Sequence, residues 1–270
     1  MIPIELEKQK NIRDLGGTVT RDGRTIRPRR FIRSGRLSGL TFQDASVLLG
    51  QWQVRTIVDL RCDKECRERP DPYWPIVEYF HIPILSEEKL GLEAVKNDEG
   101  RELTLFEKLL AVSSNPGFQA KLYMEDLYRK FVSSVQGKAA IRRFFDLTME
   151  SSDRGSILFH CNGGKDRTGI ITVLLLTALD VPWPVIEEDY SLTNRNVEAA
   201  YRKRVTMLPH GYQSAEARNV LKMLYLADRD YLSAAVDEMK LIGDTPLGYL
   251  QKAIGLDDRW LESFRARYLR

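Results

Sequence analysis

Three short apolar runs, each bounded by polar residues, are the clearest pattern along the chain. They read VRTIVDL from Val54 to Leu60, VEYFHIPIL from Val77 to Leu85 and SILFH from Ser156 to His160. Unbroken apolar runs of this length are typical of strands that are buried on both faces of a parallel sheet. The pattern therefore predicts three central strands.

Helical patterns occupy most of the remaining chain. The apolar run from Thr168 to Leu179 follows the third strand almost directly, and residues 86–155 and those beyond 184 are mostly helical in pattern. Strands that alternate with helices predict an α/β fold. We expect one domain over residues 1–270, with a central, mostly parallel sheet of four to five strands flanked by helices. It has a helical insertion at 86–150 and a helical C-terminal portion.

The insertion carries two apolar stripes, at Leu103 to Leu110 and Phe118 to Phe131. Such stripes are found both in core helices and in helices that cover a site, so a lid and a core element both stay open. The turns at 97–100 and 113–117 are too short to act as tethers between domains.

The N-terminal region predicts a loop and a β-hairpin that turns at Asp22 and Gly23. Seven arginines lie between Arg21 and Arg36. They could attract an anionic ligand or could simply form a solvated surface. Thr41 is the predicted N-cap of the helix that follows, with Asp44 at the capping-box position.

Composition restricts the class of protein. The 270 residues are 43% hydrophobic and 29% charged, as in an ordered globular protein, and the net charge of +3 does not indicate a nucleic-acid partner. The N-terminus lacks the apolar core of a signal peptide, and no run of about 18 apolar residues predicts an integral membrane segment. Three cysteines do not suggest a disulfide scaffold. We expect a cytoplasmic protein, with non-classical secretion left open.

The segment HCNGGKDRTG, residues 160–169, carries the chemistry. It places Cys161 six residues before Arg167, between a predicted strand and a predicted helix. The backbone N–H groups of such a loop can point inward and hold a phosphate, and the helix N-terminus adds to the attraction. Gly163 and Gly164 allow the backbone angles that this cradle needs.

Two side chains in this loop suit phosphate transfer. Cys161 is expected to react as a thiolate at neutral pH, because the loop amides, the helix N-terminus and Arg167 favour the negative form. Arg167 offers a planar fork that matches two phosphate oxygens. If the phosphoryl group is carried on Cys161 as an intermediate, Thr168 could donate its hydroxyl to the thiolate that departs when water cleaves that intermediate.

Other interpretations of the segment are weaker. Cys161 could be a buried structural thiol, but the glycines and Arg167 argue against it. A Walker loop would need Gly at 159 and Ser or Thr at 166, where the chain has Phe159 and Asp166. The three cysteines and three histidines have no recognised metal-ligand spacing, so neither a metal nor another cofactor is expected.

The loop resembles the HCxxGKDRTG signature of the atypical bacterial tyrosine phosphatases, a branch of the cysteine-dependent phosphatase superfamily that includes lipid-active members. Further similarities follow in the same order along the chain. They are NIRDLGG at 11–17, RSGRL at 33–37, IVDLR at 57–61 and a weak match to YLxxxxGL at 249–256.

The resemblance implies a phosphomonoester hydrolase that acts on phosphotyrosine through a cysteinyl-phosphate intermediate, without a metal. Dual specificity is left open. By position, Cys161 corresponds to the nucleophile and Arg167 to the phosphate clamp, while Lys165 and Asp166 mark this branch. The expected substrate-binding residues are Asn162, Gly163, Gly164, Lys165, Thr168 and Gly169. Arg13 and Asp14 are expected to support the loop without touching substrate.

The sequence offers several candidates for the general acid. Many relatives carry an aspartate after the strand that corresponds to YFHIPIL, whereas this chain has none before Asp98. Asp166 is the preferred candidate, with Asp59, Glu87 or an acid of the insertion as alternatives. Asp166 could instead pair with Lys165 or Arg13 and orient the loop.

Two other functions are kept as alternatives. A phosphoinositide or inositol-phosphate phosphatase would have a wide pocket ringed by Lys165 and the hairpin arginines. A non-catalytic phosphate-binding module would have no need for both Cys161 and Arg167. Cys62 or Cys66 could form a protective disulfide with Cys161 under oxidation, or both could be ordinary thiols.

Overall fold

The computed structural model describes residues 1–91, 95–96, 101–113, 119–151 and 154–270. Within these residues a six-stranded sheet is combined with helices, which confirms the predicted α/β fold. The strands are β1 (Ile2–Pro3), β2 (Ile12–Asp14), β3 (Phe31–Ser34), β4 (Val54–Asp59), β5 (Glu78–His81) and β6 (Ser156–His160). The turns predicted at 97–100 and 113–117 lie outside the described residues, apart from Ser113.

The strand order is β1-β2-β3-β6-β4-β5. The four strands from β3 to β5 in this order are parallel, while β1 and β2 are short antiparallel additions that bring the sheet above the expected four to five strands. In the register of the sheet His160 lies beside both Ser34 and Asp59. The carboxyl ends of three strands therefore meet where the phosphate loop begins, which is where parallel sheets commonly bind ligands.

The predicted strands agree with β4 and β6 to within one residue, but β5 is shorter than predicted. It covers 78–81 of the predicted 77–85. Val77 donates to the carbonyl oxygen of Trp74 in a turn, and Pro83 has no N–H with which to continue the ladder.

Alternate residues of the central strands face two hydrophobic clusters. Ile157 and Phe159 of β6 belong to the larger cluster, whereas Leu158 belongs to the smaller one. Phe31 and Ile32 of β3 divide in the same way. Because successive side chains of a strand point to opposite faces, this division shows that both faces of the sheet are buried.

Eleven α-helices lie in the described residues. They are α1 (Phe42–Ser46), which continues into a π-helical turn (Val47–Gln51), α2 (Asp63–Glu68), α3 (Leu105–Ser113), α4 (Ala120–Ser133), α5 (Val135–Glu150), α6 (Arg167–Ala178), α7 (Trp183–Thr206), α8 (Ala215–Tyr225), α9 (Arg229–Gly243), α10 (Pro246–Lys252) and α11 (Asp258–Tyr268). Thr41 and Asp44 form the predicted capping box of α1. Among the described residues, none of these helices combines the length and the apolar character needed to cross a bilayer.

The insertion consists of a core part and a surface part. Met124, Leu127 and Phe131 of α4 are buried in the larger cluster, so this stripe belongs to the core. In α3, by contrast, Leu109 is the buried side chain. The stripe of α3 is therefore the one that remains suited to covering a site.

The arginines of the N-terminal region do not surround one pocket. Those from Arg21 to Arg30 precede β3 and lie at its amino end, opposite the edge that carries Cys161. Arg33 lies within β3, and Arg36 follows its carboxyl end. The expectation that the hairpin arginines could ring the phosphate pocket is therefore wrong for Arg21 to Arg30, because parallel pairing with β6 places them at the other end of the sheet, whereas Arg36 lies at the end that carries the loop.

Candidate active site

Residues 161–166 form the loop between the carboxyl end of β6 and the start of α6. Gly164 has a φ of +68°, and a Cβ at this position would lie 2.6 Å from the nitrogen of Gly35. The need for glycine is thus confirmed at Gly164, for both backbone conformation and space. Gly163 does not have a positive φ, and a Cβ there would only meet the Cβ of Lys165 at 3.8 Å.

The carbonyl side of the loop is held by the N-terminal motif and β3. Asn11 Nδ2 donates to the carbonyl oxygen of Gly163 over 2.9 Å, and Arg33 donates to that of Gly164 over 2.7 Å. The backbone N–H of Arg36 donates to the carbonyl oxygen of Asn162 over 3.0 Å. Among the described atoms, none accepts a hydrogen bond from the N–H groups of residues 162–166. These amides are therefore available to an anion.

A buried ion cluster fixes the arginine that holds the loop. Asp189 of α7 accepts a hydrogen bond from Arg13 Nε over 2.7 Å and another from Arg33. All three side chains are almost completely buried. Burial alone would raise the pKa of Asp189, but Arg33 and Arg13 outweigh burial and lower it. Arg13 thus supports the loop as expected, through Asp189.

Arg167, the first residue of α6, is held by a carboxylate that sequence reasoning missed. Its two terminal nitrogens donate to the carboxylate of Glu65, at 2.5 and 2.9 Å. Glu65 lies in the first turn of α2 and also accepts from the backbone N–H of Cys62. Burial would raise the pKa of Glu65, but the charge of Arg167 outweighs it and the pKa is lowered. The bidentate pair leaves the other N–H groups of the guanidinium for a phosphate.

Asp166 is oriented by a tyrosine from the insertion. Tyr128 of α4 is fully buried and donates its hydroxyl to Asp166 Oδ1 over 2.6 Å. The hydroxyl of Tyr190 lies 2.8 Å from that of Tyr128. The side chain of Asp166 is 23% exposed, so its carboxylate is both fixed and reachable from the cavity.

Lys165 does not place its charge at the pocket mouth, contrary to expectation. Its side chain is 3% exposed, and its ammonium group donates to the carbonyl oxygens of Met223 and Leu226 at the C-terminal end of α8. It also lies 3.0 Å from Asp166. The cation is satisfied by carbonyl groups that a helix end leaves unpaired, so it ties α8 to the loop.

The last two predicted substrate-binding residues are buried in the start of α6. Thr168 donates its hydroxyl to the carbonyl oxygen of Ser34 over 3.4 Å. Gly169 faces the ring of Tyr190, where an added Cβ would approach to 3.2 Å. Gly169 therefore has a packing role, and Thr168 has a bond to β3 in this conformation.

A second polar network lies behind the loop. His160 Nε2 lies 2.8 Å from Asp71, and Arg61 donates to both Asp71 and Asp59. His160, Asp59 and Asp71 are close enough to suggest a metal site, although the sequence predicted none. Arg61 already pairs with both carboxylates, so the residues present do not fit a cation as well as they fit this arginine.

All three cysteines are free thiols. Burial raises the pKa of Cys62 to about 11, while burial and the nearby Asp59 raise that of Cys66 to about 12. Cys66 donates its thiol to Asp59 over 3.2 Å. Cys62 and Cys66 are therefore mostly protonated at neutral pH.

A cavity of about 530 Å³ opens over the loop. Its lining includes Asn162, Gly163 and Arg167 at the loop, and Glu102, Thr104 and Lys108 in and before α3. Apolar side chains from the insertion also line it, namely Leu90, Leu103, Leu105, Leu109, Tyr123, Met124, Leu127 and Phe131. The cavity can therefore hold both an anionic group and an apolar group.

Of the other proposed acids, Asp59 and Glu87 do not line this cavity, whereas Glu102 of the insertion does. Asp59 pairs with Arg61, Glu87 accepts from Arg67 over 2.9 Å, and Glu102 pairs with Lys64. The carboxylates that line the cavity in the described part of the chain are Glu65, Glu68, Glu102 and Asp166. Of these, Asp166 lies in the loop itself, which favours it over the alternatives.

We expect the buried carboxylates to make the protein sensitive to acid. The pKa values of Asp189, Glu65 and Asp59 are all lowered in the folded state, so unfolding takes up protons once the pH falls through the unfolded values of about 4. Asp14 acts in the opposite direction, because burial raises its pKa.

The stability supplied by these three groups is therefore present above about pH 4 to 5 and decreases progressively below it. Urea unfolding measured between pH 3 and 7 tests this expectation. In Glu65→Gln the free energy of unfolding should fall less steeply as the pH is lowered. An unchanged fall in that variant would contradict the contribution assigned to Glu65.

Comparison with known proteins agrees with the resemblance seen in the sequence. A model described as "Tyrosine phosphatase family" matches residues 4–270. Triple specificity protein phosphatase PtpB of Mycobacterium tuberculosis is 28% identical over 271 residues, which cover 92% of this chain and 93% of its own. The tyrosine-protein phosphatase of Nostoc commune is 28% identical over 188 residues, 69% of this chain and 55% of its own.

Among solved structures, that of P. aeruginosa TpbA in complex with pTyr covers 80% of this chain and 89% of its own, with a TM-score of 0.33 and 13% identity. The family model, by contrast, spans almost the whole sequence and includes every loop residue described above. The chain therefore belongs to the tyrosine phosphatase family and is a phosphatase.

Proposed function

We propose that this phosphatase hydrolyses phosphotyrosine in proteins through a cysteinyl-phosphate intermediate. The observation that carries the proposal is the loop itself. Cys161 directly follows a buried strand, the amides of 162–166 are free of described acceptors, and Arg167 is held in place by Glu65. A phosphate fits such an array of amides and guanidinium N–H groups. The apolar part of the cavity suits a phenyl ring.

The reaction has two steps. In the first, the thiolate of Cys161 attacks phosphorus, the ester P–O bond breaks, and the leaving oxygen takes a proton from Asp166. In the second, water attacks phosphorus, the P–S bond breaks, and Asp166 accepts the proton of water. Arg167 and the amides of Asn162, Gly163 and Gly164 stabilise the charge on the phosphoryl oxygens in both steps. Inorganic phosphate leaves and the thiolate is regenerated.

Lys165, Thr168 and Gly169 contribute less directly in this proposal. Lys165 positions both the loop and the side chain of Asp166. Gly169 gives Tyr190 room to pack, and Thr168 can turn its hydroxyl from Ser34 toward the thiolate. A single phosphatase domain over residues 1–270 is also part of the proposal, supported by the large cluster that joins the sheet to the C-terminal helices. Within 86–150, the described segment that we propose as a possible lid is α3 with residues 102–104 before it.

The test is a set of initial rates on a phosphotyrosine peptide, a phosphoserine peptide and soluble phosphoinositide head groups. A reaction with a ³²P-labelled phosphotyrosine peptide is also quenched with acid. We then expect the label on the fragment of the enzyme that contains Cys161. Turnover of head groups without turnover of the peptides would favour the phosphoinositide alternative. Phosphate binding without any turnover would favour a non-catalytic module.

The acid role of Asp166 predicts a difference between substrates. Asp166→Asn should lower kcat on a phosphoserine peptide by about 100-fold or more, because an alkoxide needs a proton to leave. The loss on p-nitrophenyl phosphate should be much smaller, since that leaving group is already a weak base. Equal losses on both substrates would instead indicate that Asp166 only orients the loop.

Tyr128→Phe should give a weaker form of the same pattern. The variant removes the 2.6 Å hydrogen bond to Asp166 and keeps the ring that packs in the core. We expect kcat on the phosphoserine peptide to fall by several-fold, more than kcat on p-nitrophenyl phosphate, because Asp166 becomes less well oriented. Tyr190→Phe is the matched control, since the hydroxyl of Tyr190 contacts Tyr128 rather than Asp166.

A further inference from the structure

The cavity over the loop holds more positive than negative side chains. Six cations line it, namely Arg36, Lys64, Arg69, Lys108, Lys165 and Arg167, against four carboxylates. Each carboxylate has a cationic partner. Arg167 pairs with Glu65, Lys165 with Asp166, and Lys64 with both Glu68 and Glu102.

Arg36 and Arg69 differ from these paired cations. Within the described residues, neither Arg36 nor Arg69 lies within ion-pair distance of a carboxylate. The side chain of Arg36 donates to Asn162 Oδ1, over 3.2 Å. That bond fixes the guanidinium of Arg36 directly beside the residue that follows Cys161.

Arg69 also lines the cavity, and its backbone is anchored. Its carbonyl oxygen accepts a hydrogen bond from Arg61 over 2.7 Å, which ties this position to the buried network behind the loop. Burial and the neighbouring charges of Arg69 and Arg61 lower the pKa of Arg36. Like charges that are held close together, with no counter-ion among the described residues, make a place where an anion is favoured.

We propose that Arg36 and Arg69 form a second anion subsite, which receives an acidic side chain or a second phosphate next to the phosphotyrosine of a peptide substrate. The proposal rests on the proposed function, because it needs the first phosphate to occupy the loop. The guanidinium groups are planar donors that suit carboxylates and phosphates alike.

The lining of the cavity favours a peptide over an inositol head group. Its apolar side chains, among them Leu105, Leu109 and Met124, suit a phenyl ring and offer nothing to the hydroxyl groups of an inositol. With the ring placed there, the peptide backbone continues toward solvent. Arg69 is exposed and Arg36 is half-buried, and both line the cavity, so side chains that flank the phosphotyrosine can reach them.

The test compares two phosphotyrosine peptides that differ only in their flanking residues, Asp and Glu in one and Asn and Gln in the other. The readout is the ratio of kcat/KM for the acidic peptide to that for the neutral peptide, measured within each protein. We expect a ratio of about five for the wild type, decreasing with added salt, as is usual for partly exposed charge pairs.

The variants then locate the effect. Arg69→Gln and Arg36→Gln should each bring the ratio toward one, and Arg69→Glu should bring it below one. Arg67→Gln is the matched control, because Arg67 lies in α2 two residues before Arg69, pairs with Glu87 and does not line the cavity. Its ratio should stay at the wild-type value. Because each ratio is internal to one protein, a general loss of activity in a variant does not affect it.

Three results would overturn the inference. A wild-type ratio near one, with both peptides hydrolysed, would remove the subsite and leave the proposed function intact. Hydrolysis of inositol bisphosphates that depends on Arg36 and Arg69, with the peptide ratio near one, would assign the subsite to head groups instead. No hydrolysis of either peptide would overturn the proposed function, and the subsite with it.

Discussion

Replacing Cys161 by serine is expected to lower kcat on a phosphotyrosine peptide by at least about 1,000-fold. A serine hydroxyl stays protonated in this loop and is a far weaker nucleophile than a thiolate. Cys161 is 1% exposed and the substitution is nearly isosteric, so the loop and its carbonyl contacts should be retained. The measurement is kcat for both proteins together with the affinity of each for inorganic phosphate.

The phosphate affinity separates loss of chemistry from loss of structure. Cys161→Ser should still bind phosphate, because the amides of 162–166 and Arg167 remain. Cys66→Ser is the matched control, since its hydroxyl can still donate to Asp59 and its thiol is protonated at neutral pH. Substantial turnover by Cys161→Ser would contradict a covalent mechanism at this residue.

Asp189→Ala is expected to have the largest effect on stability, lowering the free energy of unfolding by about 3 to 5 kcal/mol. The variant leaves Arg13 and Arg33 buried without their counter-ion. Because Arg33 also donates to the carbonyl oxygen of Gly164, the loop should lose its position as well. Urea unfolding gives the change in stability, and kcat on p-nitrophenyl phosphate gives the change in activity.

Asp189→Asn provides a graded comparison in case the alanine variant fails to fold. The amide keeps an oxygen that can accept from Arg13 but loses the negative charge, so we expect a smaller loss of stability and a weaker acid dependence. If Asp189→Asn were as stable as the wild type, the ion cluster would not be the support of the loop that its contacts indicate.

Several elements were predictable because their signals are local. The run SILFH and the glycine-containing loop after it can be read from consecutive residues, and so can Thr41 and Asp44 as a capping box. The length of β5 was predicted less well, since Pro83 and the turn at Val77 end a strand whose apolar pattern continues. Local patterns thus predict an element better than they predict where it ends.

The supporting residues of the site have no such local signal. Asp189 is 176 residues from Arg13, and Glu65 is 102 residues from Arg167. Tyr128 reaches Asp166 from an insertion helix whose sequence predicts an ordinary apolar stripe. Lys165 was expected at the pocket mouth, yet it turns to the end of α8, a helix whose position is set by packing.

For this protein the sequence alone determined the α/β class, the order of its central elements and the loop in which Cys161 precedes Arg167. These follow from neighbouring residues, because strand burial, helix starts and glycine conformations depend on local chemistry. The tertiary structure decided which charges meet. It placed the arginines from Arg21 to Arg30 at the opposite edge of the sheet, and Arg36 and Arg69 beside the cavity. It also brought Glu65, Asp189 and Tyr128 to the loop, because buried charges need partners that only folding can supply.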